Sequence, residues 1–338
     1  MIIVLKSGAT KEDIEQIHAK LKQKNLEPYT FEGVERTVVH VLGDVTEKIA
    51  DEFRQINLVE QVMRIQKPYK LASKEHHRQK TIVNIDGVKL GNGDVVVMAG
   101  PCSIESEEQI MASAHAMKKL GVKIMRASAF KPRTSPYSFQ GLGIEGLKLL
   151  KKVKQETGLI VETEVMDVRD VALAAQYVDM LRIGARNMQN FDLLKEVGKV
   201  DKPVILKRGM AATIEEFLMA AEYIIFHGNK NVILCERGIR TFETAYRNTL
   251  DLGAVAVLQR ATHLPVIVDP SHAAGVRELV APLSKAAVAC GADGLIIETH
   301  PNPEKALSDG KQSLTPEMLG QLLEELRPIA KAIGKNLI

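Results

Sequence analysis

From Val95 onward the chain repeats one pattern eight times, a short apolar run followed by a longer amphipathic stretch. The runs are Val95 to Ala99, Ile124 to Ala127, Leu159 to Glu164, Met180 to Ile183, Pro203 to Lys207, Asn231 to Glu236, Pro265 to Asp269 and Gly294 to Glu298. They are continuous rather than alternating, as expected of parallel strands buried on both faces. The stretches between them, such as Glu107 to Leu120, Ile214 to Phe226 and Glu317 to Ile333, carry apolar residues at helical spacing. Parallel neighbours need a crossover, and eight successive strand–helix units favour a closed (β/α)8 TIM barrel over an open doubly wound sheet. Such a barrel takes roughly 250 residues. Residues 94–338 are therefore assigned to it, and something smaller precedes it.

The first 66 residues read as strand Ile2 to Lys6, helix Lys11 to Lys24, strands Glu27 to Phe31 and Thr37 to Leu42, helix Glu47 to Gln55 and strand Val59 to Gln66. Ile14, Ile17 and Leu21 recur at helical steps behind Thr10, a residue type suited to the N-cap. The order βαββαβ predicts a small α+β ferredoxin-like domain over residues 1–66. Residues 67–93 are expected to hold a polar linker, Lys67 to Lys80, and a hairpin, Thr81 to Leu90, turning at Asp86-Gly87. That hairpin is placed to plug the bottom of the barrel.

A net charge of +3 over 338 residues, with acids and bases interspersed, gives no global field for nucleic acid or a membrane surface. Three cysteines without close spacing fit neither a disulfide framework nor a zinc knuckle, which points to a reducing cytoplasm. The apolar run at the N-terminus is too short for a signal peptide, and no stretch reaches the ~18 apolar residues of a membrane span. A soluble cytoplasmic protein is expected.

The residues following each barrel strand are Cys102; Arg126 and Lys131; Glu162 and Glu164; Arg186; Lys207 and Arg208; Arg237; Asp269 and His272; Glu298; and Asp309. In a barrel these converge at one mouth. Taken singly, each has an ordinary reading. A lone Arg is solvated, a lone Cys is a small buried hydrophobe, and His272 caps a helix beginning near Gly275. Several cations on different loops of one mouth are better explained as an anion site. Arg208 and Arg240 are expected to be solvated. Cys102, His272, Glu298 and Asp309 together offer sulfur, nitrogen and oxygen, a set suited to borderline divalent ions and unsuited to Mg.

The motifs AGPCS around Cys102, IMRASAF around Arg126, Lys131-Pro132-Arg133-Thr134-Ser135, GAR, LKRG, CERG, DPSH, IIETH and ALSDG carry a family resemblance. The chain resembles the class I 3-deoxy-D-arabino-heptulosonate 7-phosphate (DAHP) synthases, in the beta-type form with an N-terminal ferredoxin-like regulatory domain. The resemblance implies condensation of phosphoenolpyruvate with erythrose 4-phosphate and water, giving DAHP and phosphate, the first step of the shikimate pathway. It implies one divalent ion (Mn, Fe, Zn, Co or Cd) held by Cys102, His272, Glu298 and Asp309. Phosphoenolpyruvate is assigned to Arg126, Lys131, Arg186, Lys207 and Arg237, with Arg126 and Lys207 on the carboxylate and Arg186 and Arg237 on the phosphate. Erythrose 4-phosphate is assigned to Pro132, Arg133, Thr134 and Ser135. Lys131 is the expected proton donor, acting beside Cys102 and His272. The base that activates water stays open among Glu162, Glu164 and metal-bound hydroxide. The resemblance further implies feedback inhibition by tyrosine or phenylalanine and a homo-oligomer, with a tetramer favoured.

The nearest alternative is 3-deoxy-D-manno-octulosonate 8-phosphate synthase, which takes arabinose 5-phosphate. That family is expected to have Ala-Asn where this chain has Pro132-Arg133. The GxGxxG from Gly141 to Gly146 has no strand directly before it, so it reads as the opening of a helix and not a dinucleotide site. Thr37 to Gly43 lacks the aromatic residues an RNA-recognition motif stacks on bases, so an RNA-binding N-terminal domain is disfavoured. A chorismate mutase fusion would be helical there, and a purely structural domain stays open.

Overall fold

Residues 1–33, 36–63, 68–133 and 135–338 are described by a computed structural model. Contacts divide the chain into two units, Met1–His76 and His77–Ile338. The first unit runs β1 (Ile2–Leu5), α1 (Lys11–Gln23), β2 (Glu27–Glu32), β3 (Thr37–Leu42), α2 (Glu47–Arg54) and β4 (Val59–Met63). Its antiparallel sheet has the order β2-β3-β1-β4, as the βαββαβ pattern predicts. Thr10 caps α1 in a reciprocal capping box with Asp13. Ile14, Ile17, Leu21, Ala50 and Phe53 from the helices pack on Ile3, Leu5, Val39 and Val41 of the sheet. The last strand was expected to reach Gln66; Arg64 to Gln66 and the start of the linker, Lys67, lie outside the described residues.

The second unit opens with the hairpin β5 (Val83–Ile85) and β6 (Val88–Leu90). Asp86 and Gly87 both have positive φ, 46° and 91°, the backbone a tight two-residue hairpin demands. Val83, Ile85 and Leu90 share one apolar cluster with Val96, Ile124, Ile160 and Met180 inside the barrel. Ile124, Ile160 and Met180 are the first residues of their strands, so the hairpin plugs the amino end, as expected.

The barrel follows as β7 (Val96–Gly100), α3 (Glu107–Lys119), β8 (Ile124–Arg126), α4 (Ile144–Thr157), β9 (Ile160–Val165), α5 (Val168–Ala174), β10 (Met180–Ile183), α6 (Phe191–Gly198), β11 (Val204–Lys207) and α7 (Ile214–Phe226). It ends with β12 (Val232–Glu236), α8 (Leu252–Ala261), β13 (Val266–Val268), α9 (Pro270–Ala274), α10 (Val280–Ala289), β14 (Gly294–Glu298) and α11 (Pro316–Ala332). Parallel pairing of β14 with β7 closes it. Pro203 and Pro265 lack the N–H a ladder uses, so β11 and β13 begin one residue later than the apolar runs. Gly143 is the N-cap of α4, so the GxGxxG run opens a helix, as expected. One expectation fails at Gly275. This residue ends the short helix α9 with φ 73°, because a left-handed glycine satisfies a helix C-terminus and does not start one. Among the described residues, no helix is long and apolar enough to cross a membrane.

Candidate active site

A cavity at the carboxyl ends of the strands is lined by Lys131, Pro132, Arg133, Ser135, Ser138, Glu164, Gly184, Ala185, Arg186, Lys207, Arg237, Arg247, His272 and Asp309. Six cations thus face two carboxylates, and the surplus positive charge favours anionic ligands. Thr134 lies outside the described residues. Glycines make room at two points. Gly100 has φ 150° and approaches β8 so closely that a Cβ would fall 2.3 Å from the Arg126 carbonyl oxygen, which brings Cys102 to the mouth. A Cβ on Gly184 would stand 2.1 Å from Glu164 Oε1, so only glycine leaves that carboxylate space within 3.7 Å of Lys131 Nζ.

Cys102, Glu298 and Asp309 present ligand atoms that all lie within 4.8 Å of one another. His272 is not one of these three but stands beside them, its Nε2 3.5 Å from Glu298 Oε1 and 3.9 Å from Asp309 Oδ2. Asp269 orients the imidazole. It caps α9 by accepting from the His272 backbone N–H at 2.9 Å, and its Oδ2 lies 2.8 Å from His272 Nδ1. That leaves Nε2 toward the carboxylates, as a metal-binding histidine requires. Burial pushes His272 down to about 4, so it is neutral at neutral pH and able to coordinate. Burial, with Glu298 adding to it, pushes the Cys102 thiol up to about 12, although Lys131 and Arg126 oppose the rise. The thiol donates to Asp309 Oδ2 at 3.1 Å, and a metal would displace this proton. Burial disfavours charge on Glu298, but His272, Arg126 and Lys131 outweigh it and hold the carboxyl well below the ordinary range. Asp309 itself adopts the left-handed region, φ 51°, an uncommon backbone state at the point where the set closes.

Lys207 bonds to Asp269 from the cavity wall. Burial lowers its pKa, and the Asp269 charge only partly offsets this. Burial likewise disfavours charge on Lys131, but Cys102, Glu164 and Glu298 more than restore it. Arg126 is not in the wall. It lies fully buried in the floor, donating to Glu298 Oε1 at 2.9 Å and to the Pro101 carbonyl at 3.0 Å. Its Nε and Nη2 are buried with no hydrogen-bond partner, unusual for a guanidinium and a mark of unused donor capacity.

Arg240 is exposed, as expected. Arg208 is not. It is buried, and its Nη1 donates to Glu236 Oε2 and Asp251 Oδ2, both at 2.9 Å, tying β11 to β12 and to the N-cap of α8. Polar residues of the site also went unread in the sequence. Arg182 fills the interior below Glu164, 3.2 Å from Glu162 Oε1 and donating to Ser128 Oγ at 2.5 Å. Arg247 lines the cavity and donates to Gln312 Oε1 at 2.9 Å, and Gln312 in turn donates to Glu298 Oε2 at 2.6 Å. Ser308 sits against Cys102. A charged residue within an apolar strand was the available signal for Arg182; the other three stand on loops without periodicity.

The profile of the DAHP synthetase I family matches residues 70–333, and that of the DAHP synthase ferredoxin-like domain matches residues 1–67. Phospho-2-dehydro-3-deoxyheptonate aldolase of Thermotoga maritima is 52% identical over 334 residues, 99% of either chain. A 2-dehydro-3-deoxyphosphooctonate aldolase of Syntrophotalea carbinolica is 35% identical over 265 residues, covering 73% of this chain and 94% of its own. A crystal structure of the Thermotoga maritima DAHP synthase superposes with TM-score 0.80 at 50% identity, covering 100% of this chain and 99% of that one. A truncated form of the synthase from that organism gives 0.75 at 48% identity, covering 80% of this chain and 99% of its own.

Proposed function

This chain belongs to the DAHP synthetase I family and is a DAHP synthase, and from that premise we propose that it joins phosphoenolpyruvate to erythrose 4-phosphate with a divalent metal ion, under feedback control through its N-terminal unit. The observation that carries the reading is the convergence of Cys102, His272, Glu298 and Asp309 beside a cavity walled by six cations. Two anionic substrates repel one another in water, and a cationic cavity offsets that repulsion while orienting them.

Lys207 and Arg126 take the phosphoenolpyruvate carboxylate, with Arg126 supplying its unpartnered donors from the floor. Arg186 and Arg237 take the phosphate. Pro132, Arg133, Thr134 and Ser135 hold the erythrose phosphate. C3 of phosphoenolpyruvate, electron-rich as part of an enol ether, forms a bond to the aldehyde carbon, and Lys131 gives a proton to the aldehyde oxygen. Water then adds at C2, and cleavage of the C–O bond releases inorganic phosphate. Of the two carboxylates on β9, Glu164 reaches the cavity while Glu162 is sealed beneath Arg182, so Glu164 is the one within reach of a water. Cys102, His272, Glu298 and Asp309 would hold the metal, their mixed donors and neutral imidazole fitting a borderline ion. When bound, such an ion supplies Lewis-acid polarisation of a carbonyl oxygen.

Arg133 favours erythrose 4-phosphate over arabinose 5-phosphate as acceptor, and the higher identity to the heptonate enzyme supports this choice over the octonate relatives. The N-terminal unit binds tyrosine or phenylalanine, and the working form is a homotetramer. The test of the metal reading is phosphate release before chelation, after exhaustive chelation and after adding back Mn or another divalent ion. Activity is expected to vanish and return; full activity in metal-free protein refutes the reading.

A further inference from the structure

Ser308, in the loop between β14 and α11, touches both halves of the site and is itself buried. Its Oγ lies 2.9 Å from Cys102 Sγ and 2.6 Å from Arg133 Nη1. The direction of both bonds follows from proton counting. A guanidinium only donates, so Ser308 Oγ accepts from Arg133. The single thiol proton of Cys102 goes to Asp309 Oδ2 at 3.1 Å, so the sulfur accepts from the Ser308 hydroxyl. The chain of donors therefore runs from Arg133 through Ser308 to the sulfur. The loop that carries it is braced within itself and tied to β14. Ser313 Oγ donates to the Asp309 carbonyl at 3.1 Å, and Gln312 from the same loop donates to Glu298 Oε2.

We propose that Ser308 is a positioning residue that couples the metal site to the acceptor-sugar site, its hydroxyl donating to the Cys102 sulfur while it holds the Arg133 guanidinium in place. The inference rests on the assignment of Cys102 to the metal and Arg133 to the acceptor phosphate. A hydrogen bond to a metal-bound thiolate draws electron density from the sulfur and lowers its donor strength. Arg133, with one nitrogen committed to Ser308, keeps its remaining donors for an anion. A serine present only to fill space would do neither.

The experiment uses the full-length protein loaded with Co(II), whose thiolate-to-metal charge-transfer band reports on the sulfur directly. Ser308→Ala should move that band to longer wavelength. It should also raise KM for erythrose 4-phosphate by roughly two- to tenfold, the range for losing one hydrogen bond, while leaving KM for phosphoenolpyruvate unchanged. Ser308→Thr, which keeps the hydroxyl, should restore both readouts. Arg133→Ala should move the band in the same direction but less far, because the hydroxyl then loses the donor that polarises it. A band present in the parent protein and unmoved by Ser308→Ala overturns the coupling, as does an equal rise in both Michaelis constants. If Ser308→Ala does not fold, Arg133→Ala decides alone, and an unmoved band overturns the proposal. Absence of the band in the parent protein overturns the metal assignment and this inference with it.

Discussion

Asp269→Asn should damage two functions at once, because this carboxylate stands between the proposed metal ligand His272 and the proposed phosphoenolpyruvate ligand Lys207. It orients His272 through the backbone N–H at 2.9 Å and the ring Nδ1 at 2.8 Å, and it is the counter-ion of buried Lys207. Groups that orient a metal-binding imidazole are typically worth about 10- to 100-fold in metal affinity, so a loss in that range is expected. Removing one member of a buried ion pair costs ~3 to 5 kcal/mol if the remaining charge persists. Lys207 avoids that cost by giving up its proton. Burial already lowers its pKa, and without Asp269 the pKa falls further. A lysine with a depressed pKa is charged at low pH and neutral at high pH. Binding of phosphoenolpyruvate by the variant should therefore weaken as pH rises, and more steeply than in the parent protein. Losing a charge-assisted contact of ~1.5 to 3 kcal/mol raises KM by roughly 10- to 150-fold at the alkaline end. Steady-state kinetics at pH 6, 7 and 8 and competition with a chromophoric chelator measure the two effects, with circular dichroism as the check on folding. Metal affinity within threefold of the parent, together with a KM ratio that does not change with pH, would refute the reasoning.

Arg133→Ala should raise KM for erythrose 4-phosphate far more than that for phosphoenolpyruvate, by ~1.5 to 3 kcal/mol of lost phosphate contact, and Arg186→Ala should show the reverse bias. Equal effects on both substrates would undo the division of the cavity. In the N-terminal unit His40 is buried among Phe31, His76 and the Met1 amino group, and burial pushes it down to about 4 from an ordinary 6.5. Because the unfolded chain takes up this proton first, stability is intact above pH 6.5 and declines as pH falls toward 4, by up to about 3 kcal/mol. Hydrogen exchange in residues 1–63 should thus accelerate at pH 4.5 relative to pH 7 more than in the barrel strands, and a uniform response would contradict this. A protein beginning near Lys67 should keep its turnover and lose inhibition by tyrosine and phenylalanine. Unaltered inhibition would place the effector site on the barrel.

The barrel was legible because strands buried on both faces leave continuous apolar runs, and Asp86-Gly87 announced its plug because few other pairs accept two positive φ values. Strand ends were less clear, since proline chemistry at 203 and 265 decides them and hydropathy does not. Gly275 was misread because α9 has five residues, too few to show periodicity. Arg208 was misread for a different reason. Its partners Glu236 and Asp251 are 28 and 43 residues away in sequence, and no local pattern tells a paired buried arginine from a solvated one. The four prospective metal ligands were visible through their motifs; Cys102, Glu298 and Asp309 cluster in the structure, and His272 lies beside Glu298 and Asp309. Arg126 stood in the same list as the wall cations but belongs to the floor, a distinction that exists only once the strands are closed. Ser308, Arg247 and Gln312 act through contacts between loops, so they became apparent only in three dimensions.

Condensation of phosphoenolpyruvate with a four-carbon sugar phosphate at the proposed site is decided by phosphate release from phosphoenolpyruvate in the metal-loaded enzyme, with erythrose 4-phosphate or arabinose 5-phosphate as acceptor. Release should be rapid with erythrose 4-phosphate and slight with arabinose 5-phosphate. Faster release with arabinose 5-phosphate, or equal release with both, would contradict this.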